Sequence, residues 1–253
     1  MTTETAAKRA VFRKLHESGH FILPNPWDIG SARRLEKLGF KALASTSAGF
    51  AWSVGREDGE LSVDEVLEHL RQLCAATELP VNADFEAGFA DQPDGIAVNV
   101  TRAVDTGVAG LSIEDRTGTE LYPLSLAVER IQAAREAIDA TGQDVLLVGR
   151  TENYVIGRAD VNETIERLTA YAAAGADVLY APWITSLSEI RAVVEAVAPK
   201  PVNVLLHNPG VNVDDLAAAG VRRSSTGARL ASAAWAAFER SALSVRDSGH
   251  LPR

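Results

Sequence analysis

Glycine closes a helical stretch and a short apolar strand follows it, four times along this chain. The pairs are Gly39 before FKALAS, Gly107 before VAGLSI, Gly175 before ADVLYA and Gly220 before VRRSS. A glycine just past a helix adopts the left-handed conformation that caps it, so each pair marks a helix-to-strand turn. Further apolar runs at Phe21 (HFILPN), Val81 (LPVNAD), Leu147 (DVLLVGR) and Val204 (KPVNVLLH) bring the expected strands to eight. These runs are continuous rather than alternating, as in strands covered on both faces. Helical patterns fill the gaps between them. Ser62 with Glu65, Asp160 with Glu163 and Ser186 with Glu189 have the spacing of a capping box. Ile96, Val100 and Val104 stripe one helix, and Leu126, Ile131, Ala134 and Ile138 stripe another. A final helix is expected around Leu230 to Phe238. Eight alternations in 253 residues fit a closed barrel better than a doubly wound sheet. PNPWDIGSA, after the first strand, is not the glycine fingerprint of a dinucleotide fold. The expected fold is therefore α/β, a single (β/α)8 TIM barrel over residues 1–253. An extra N-terminal helix at about 5–18 and a short tail at about 244–253 lie outside it.

Composition narrows the partners. A formal net charge of -9, with acids spread along the chain, argues against nucleic acid and against an anionic membrane surface. It does not argue against a small anionic substrate, which one arginine and a metal can hold. Cys74 is the only cysteine, so there is no intrachain disulfide, and one thiol does not make a zinc site. The start, MTTETAAKRAVFRKLHE, lacks a secretory apolar stretch, and no segment is long enough to span a bilayer. A soluble cytoplasmic protein is expected.

Active sites of such barrels lie at the C-terminal ends of the strands, and four carboxylates fall at strand ends or the following loops. They are Asp58 in VGREDGE, Asp84 and Glu86 in NADFEAGF, and Glu114 in GLSIEDR. Converging carboxylates repel unless a cation or proton intervenes, and oxygen donors suit Mg²⁺. Asp84 is the first choice for direct metal contact, although capping the next helix is the commoner role for an aspartate there. Arg150 ends an apolar strand and needs either a structural carboxylate, with Glu152 the obvious one, or an anionic ligand. The two readings weigh about equally. Thr46 and Ser47 follow the second strand, where backbone N–H and hydroxyl groups cradle a carboxylate or merely pack over the mouth. Trp27, in the loop after the first strand, either walls the pocket or packs against a helix. His207, at the end of VLLHNPG, reaches the substrate or serves as a satisfied structural histidine.

Taken in order, GFKALASTSAGFAWSVGREDG, NADFEAGF, GVAGLSIEDR and VGRTENY resemble the isocitrate lyase/phosphoenolpyruvate mutase superfamily, and the resemblance runs from LPNPWDIGS to the last helix. It implies Mg²⁺ or Mn²⁺ on Asp84, with Asp58, Glu86 and Glu114 acting through water. It implies Arg150, Thr46, Ser47 and Ala48 as holders of a small 2-oxo or 2-hydroxy acid, with Arg150, Glu114, Asp58 and Thr46 in the catalytic set. It also implies a pyruvate-enolate type of intermediate and a homo-oligomer, dimer or tetramer. Two departures separate this chain from characterised relatives. DRTGTELYPLSLAVERI follows Glu114 where the lyases carry a KKCGH-type lid, and Pro182 of APW stands where the mutases place a histidine. The lysine-asparagine-serine set with which the mutases meet the phosphoryl group is missing as well. The expected activity is metal-dependent carbon–carbon cleavage, with oxaloacetate decarboxylation the most economical form because solvent supplies the proton. The alternatives are an isocitrate- or methylisocitrate-type lyase, an oxaloacetate hydrolase, a phosphonopyruvate-type enzyme, and a non-catalytic 2-oxo acid binding protein.

Overall fold

The computed structural model describes residues 2–252. After α1 (Thr3–Leu15), the first units are β1 (Phe21–Leu23), α2 (Ile29–Lys37), β2 (Leu43–Ala44), α3 (Ser47–Ser53) and α4 (Val63–Ala76). Next come β3 (Val81–Asp84), α5 (Pro93–Val104), β4 (Gly110–Glu114), the small β5 (Arg116–Thr117) and β6 (Glu120–Leu121), and α6 (Leu124–Ala140). The second half runs β7 (Leu146–Arg150), α7 (Val161–Ala173), β8 (Val178–Tyr180), α8 (Leu187–Val197), β9 (Val202–Leu205), α9 (Val213–Ala218), β10 (Arg223–Ser225) and α10 (Arg229–Ser248). Eight parallel strands form one sheet in the order β1-β10-β9-β8-β7-β4-β3-β2. A single backbone bond from Ala44 N–H to Pro24 O, 3.0 Å, draws its two edges together and nearly closes the barrel.

Alternation along the strands sorts the core into two layers. Leu146, Val148, Val178 and Tyr180 face the barrel interior in one cluster with Phe12 and Phe21. Leu111, Ile113, Leu147 and Leu179 face outward and pack under the helices. Helix α1 plugs the N-terminal end. Phe12 is fully buried, and the His16 ring stands edge-on to Phe12 and Phe21 at 4.7 and 5.1 Å. The plug leaves no spare room: a Cβ on Gly110 would come within 2.8 Å of both the Phe12 ring and Asn82 Oδ1. Nothing larger than glycine fits where β4 passes the plug.

Several boundaries differ from the sequence expectation. Helix α1 starts and ends earlier than 5–18, because the chain turns at His16 and Gly19 takes φ 72°. The segment after β2 is helical rather than a plain loop, with Thr46 Oγ1 capping α3 by accepting from Gly49 N–H. Asp84 does not cap the helix that follows it, since α5 begins only at Pro93. The last helix extends ten residues past Phe238 into the expected tail, and Gly249 ends it in the left-handed conformation at φ 73°. Among the described residues no helix is long and apolar enough to cross a membrane.

His16 ties the plug to the barrel. Its Nδ1–H donates to Phe12 O at 2.8 Å, so Nε2 carries the lone pair and accepts from Arg223 Nη1 at 3.2 Å. Burial, then the neighbouring Arg223 charge, push its pKa down from 6.5 to about 3. The unfolded chain therefore binds a proton that the folded chain refuses, and the stability present above pH 6.5 is lost as pH falls toward 3. Between pH 7.5 and pH 5 this one group should cost the parent about 2 kcal/mol, beyond the loss that the likewise depressed His69 brings to both proteins. His16→Gln should not lose that amount. Urea unfolding of both proteins at the two pH values checks this, and parallel curves would refute it.

Candidate active site

Arg150 organises the C-terminal mouth of the barrel. From the last position of β7 its guanidinium meets three carboxylates: Glu152 at 2.5 Å, Asp84 at 3.2 Å and Glu114 at 3.3 Å. It also lies 5.2 Å from the centre of the Tyr180 ring. Burial opposes the charge, but the three carboxylates outweigh it and keep the group firmly cationic. The register explains the meeting, because Glu114 and Arg150 are paired residues on adjacent strands and Arg150 pairs with Tyr180 on the next. The pairing with Glu152 is the structural alternative weighed above, and it is present.

The 46–48 loop is stitched to β3 in both directions. Asp84 N–H donates to Ser45 Oγ at 2.8 Å, and Ser47 N–H donates to Asp84 Oδ2 at 2.9 Å. Ser47 N–H is therefore already used, contrary to the simple expectation of a free cradle. The Ala48 N–H, in the first turn of α3, has no intrahelical acceptor and stays available to a ligand. These groups border a cavity of about 390 Å³ lined by Thr46, Ser47, Ala48, Asp58, Asp84 and Arg150, among others. That is the size of a small-molecule site.

Other expected site residues stand back from the cavity. Glu114 is buried behind Arg150, between it and Arg116. Glu86 lies two residues past the end of β3, where φ 47° turns the chain away from the strand direction. His207 does not line the cavity, because β9 ends at Leu205. Its Nδ1 lies 3.0 Å from Leu205 O and its ring packs on Trp183. Trp27 is likewise absent from the wall, which Trp52 and Trp183 supply.

The acids at the mouth outnumber the cations. Burial first, then the charges of Asp84 and Asp58, push Glu86 up to about 7. Burial, then Asp84, raises Asp58 despite the Ser47 hydroxyl. Burial also pushes Glu114 up, against the pull of Arg150. Glu86 Oε1 and Glu152 Oε2 are buried without a hydrogen-bond partner. Among the described residues no three carboxylate, imidazole or thiolate groups gather as direct ligands of one ion. Such a donor set fits a hard cation that keeps most of its water, held by one carboxylate directly and by others through water.

Asp115 and Arg223 were not singled out by the sequence reading. Asp115, buried and facing away from Glu114, accepts from Thr151 Oγ1 at 2.8 Å, Glu152 N–H at 2.9 Å, Arg167 at 3.2 Å and Tyr171 OH at 2.5 Å. It fixes the Arg150–Glu152 turn from behind. The adjacent pair Glu114–Asp115 was the available signal, since neighbours on a strand point to opposite faces.

An α/β barrel whose mouth gathers acids around one arginine defines a class, and comparison with known proteins supplies the family. The profile of the phosphoenolpyruvate phosphomutase family matches residues 12–246, and the chain belongs to that family, within the phosphoenolpyruvate mutase/isocitrate lyase superfamily. A Burkholderia cenocepacia J2315 crystal structure, provisionally assigned as a lyase/mutase, is 47% identical, with TM-score 0.95 over 99% of this chain and 91% of that one. An oxaloacetate acetylhydrolase in complex with its product oxalate is 27% identical, with TM-score 0.89 over 99% of this chain and 89% of the other. An oxaloacetate decarboxylase of Rhodopseudomonas palustris (strain BisB18) is 31% identical over 229 residues, 84% of this chain and 76% of the relative.

Asp115→Ala would take from buried Arg167 one of its two carboxylates, Glu163 remaining at 3.1 Å, and would free the turn that holds Glu152. Removing one partner of a buried pair costs roughly 3–5 kcal/mol. Chemical denaturation should show that loss. A change below about 1 kcal/mol would mean that Asp115 does not anchor the turn.

Proposed function

We propose that the chain is an enzyme that cleaves a carbon–carbon bond in a small 2-oxo or 2-hydroxy dicarboxylate, with oxaloacetate as the reference substrate. One observation carries this reading: a permanently charged guanidinium, the Ala48 N–H and the carboxylates of Asp58, Asp84 and Glu152 border the same cavity. Arg150 would exchange a protein carboxylate for the substrate's, and Thr46 and Ala48 would orient it. Asp84 would hold Mg²⁺ or Mn²⁺, with Asp58, Glu86 and Glu114 on its waters. When bound, such a cation supplies Lewis-acid polarisation of the 2-oxo oxygen. Decarboxylation converts oxaloacetate and a proton into pyruvate and CO₂. The electron pair of the broken bond stays on the former C3, which takes the proton. Cys74 does not serve as that acid, because it lies on α4 and burial pushes its thiol up to about 12. Hydrolysis to oxalate and acetate is the second reading, favoured by the likeness to the acetylhydrolase.

Mass spectrometry of the products with Mg²⁺ separates these readings. Pyruvate and CO₂ above the metal-only background support decarboxylation, and oxalate supports hydrolysis. Turnover of neither oxaloacetate nor substituted malates, isocitrate, methylisocitrate or phosphonopyruvate would reduce the protein to a binder. Arg150→Gln should lower kcat/KM roughly 10²–10³-fold, the scale of one oriented donor in an active site. Calorimetric titration of the chelated protein should show Mg²⁺ binding that Asp84→Ala abolishes. Equal binding by the variant would place the ion elsewhere.

A homo-oligomer belongs to the same reading. Of the twenty residues of α10 only Ala231 is buried, while Trp235, Phe238, Leu243 and Val245 are exposed. A second copy of the chain would cover that face. Light scattering coupled to gel filtration should give a multiple of 27.0 kDa, and a monomer across micromolar concentrations would end the proposal.

A further inference from the structure

Below the mouth, the barrel interior contains a cation with no counter-charge. Arg223 opens β10 and is 2% exposed. Its Nε donates to Asn203 Oδ1 at 3.0 Å, and its Nη1 donates to His16 Nε2 at 3.2 Å and to Asn82 Oδ1 at 3.4 Å. All three acceptors are neutral, since His16 donates its only ring proton to Phe12 O. No carboxylate pairs with Arg223 among the described residues. Other buried guanidiniums of this chain are wrapped differently. Arg9 donates to the carbonyls of Val104 and Val108, and Arg130 to those of Ala87, Ala90 and Asp91. Arg223 has no carbonyl acceptor, and burial lowers its pKa to about 9, offset by charge only from the Tyr180 phenol. A buried charge left in this condition is expensive unless an anion meets it.

The register shows where that anion would come from. Paired residues of adjacent parallel strands face the same side, and one such row runs Glu114, Arg150, Tyr180, Asn203, Arg223. Strand tilt makes this row descend from the mouth toward the plugged end. Arg150, Tyr180, Asn203 and Arg223 all line the same cavity, together with Asn82 and Ser225. The two arginines are thus the upper and lower cations of one continuous pocket. The upper one is crowded by acids and the lower one is surrounded by amides and hydroxyls.

We infer that Arg223, with Asn82, Asn203 and Ser225, forms a floor subsite for the far carboxylate of a dicarboxylate whose other end is held at Arg150 and the 46–48 loop. The inference rests on the 2-oxo or 2-hydroxy acid reading of the mouth. It makes Arg223 the residue that distinguishes dicarboxylates from monocarboxylates. The planar fork suits a carboxylate, and the neutral surroundings do not compete with it.

Calorimetric titration with malate and with pyruvate, on the parent and on Arg223→Gln, tests this. Malate binding should weaken at least tenfold in the variant while pyruvate binding stays within twofold. Arg223→Lys, which keeps the charge, should recover part of the malate affinity and carries the comparison if the glutamine variant does not fold. Unchanged malate affinity in either neutral or charge-preserving variant, or an equal loss for both acids, overturns the floor subsite while leaving the mouth intact. If the parent binds neither acid, the function proposed above fails, and formate then probes the floor alone. Formate at fixed ionic strength should raise the parent's melting temperature and not that of Arg223→Gln. An equal rise in both, or none in the parent, overturns the subsite as well.

Discussion

The mouth of this barrel depends on one guanidinium. Arg150 draws Asp84 from β3, Glu114 from β4 and Glu152 from the turn after its own strand to within 2.5–3.3 Å of itself. Without that charge the acids would separate or take up protons, because burial already raises Glu86, Glu114 and Asp58. Its own position is secured from behind, where Asp115 clamps Thr151, Glu152, Arg167 and Tyr171. The polar site is therefore two-sided: a front of exchangeable pairs facing the cavity and a back of saturated ones. Under the proposed function a substrate carboxylate would replace a front partner, whereas the back network has nothing to exchange.

The same arrangement accounts for the 46–48 loop. Reciprocal bonds between Ser45, Asp84 and Ser47 make the loop and the acidic strand end one unit. Short α3 continues from it and presses on the start of the last helix. A Cβ on Gly49 would lie 2.6 Å from Thr46 Cγ2 and 3.3 Å from the Ala231 side chain. The first residues of α10 thus sit against the cavity-lining loop, although the rest of that helix extends away from the barrel.

How much of this was legible follows from where each signal resides. The eight strands were readable because glycine caps and continuous apolar runs are local. Asp84 and Arg150 were readable as neighbours because strand ends converge in any such barrel. Glu86 and His207 were not, since each lies two residues beyond its strand, where loop torsions decide direction. Short α3 escaped because STSAGFAWS has small residues and no acidic partner for its Thr46 cap. Arg223 was hidden for a different reason. VRRSS contains two arginines, and only the register shows that Arg223 points inward, while Arg222 reaches the surface at Gly19 O.

The plug formed by α1 has a further consequence. Eight strands alone make a tube, and a tube has no depth against which to measure a guest. By seating Phe12 and His16 beneath Arg223, residues ahead of the first strand turn that tube into a blind well. The reach of the pocket is thus set as much by a helix remote in sequence from the acids as by the acids themselves. Variation in that opening segment among relatives would act as an adjustable stop, changing how long a molecule the barrel admits without altering any group at its rim.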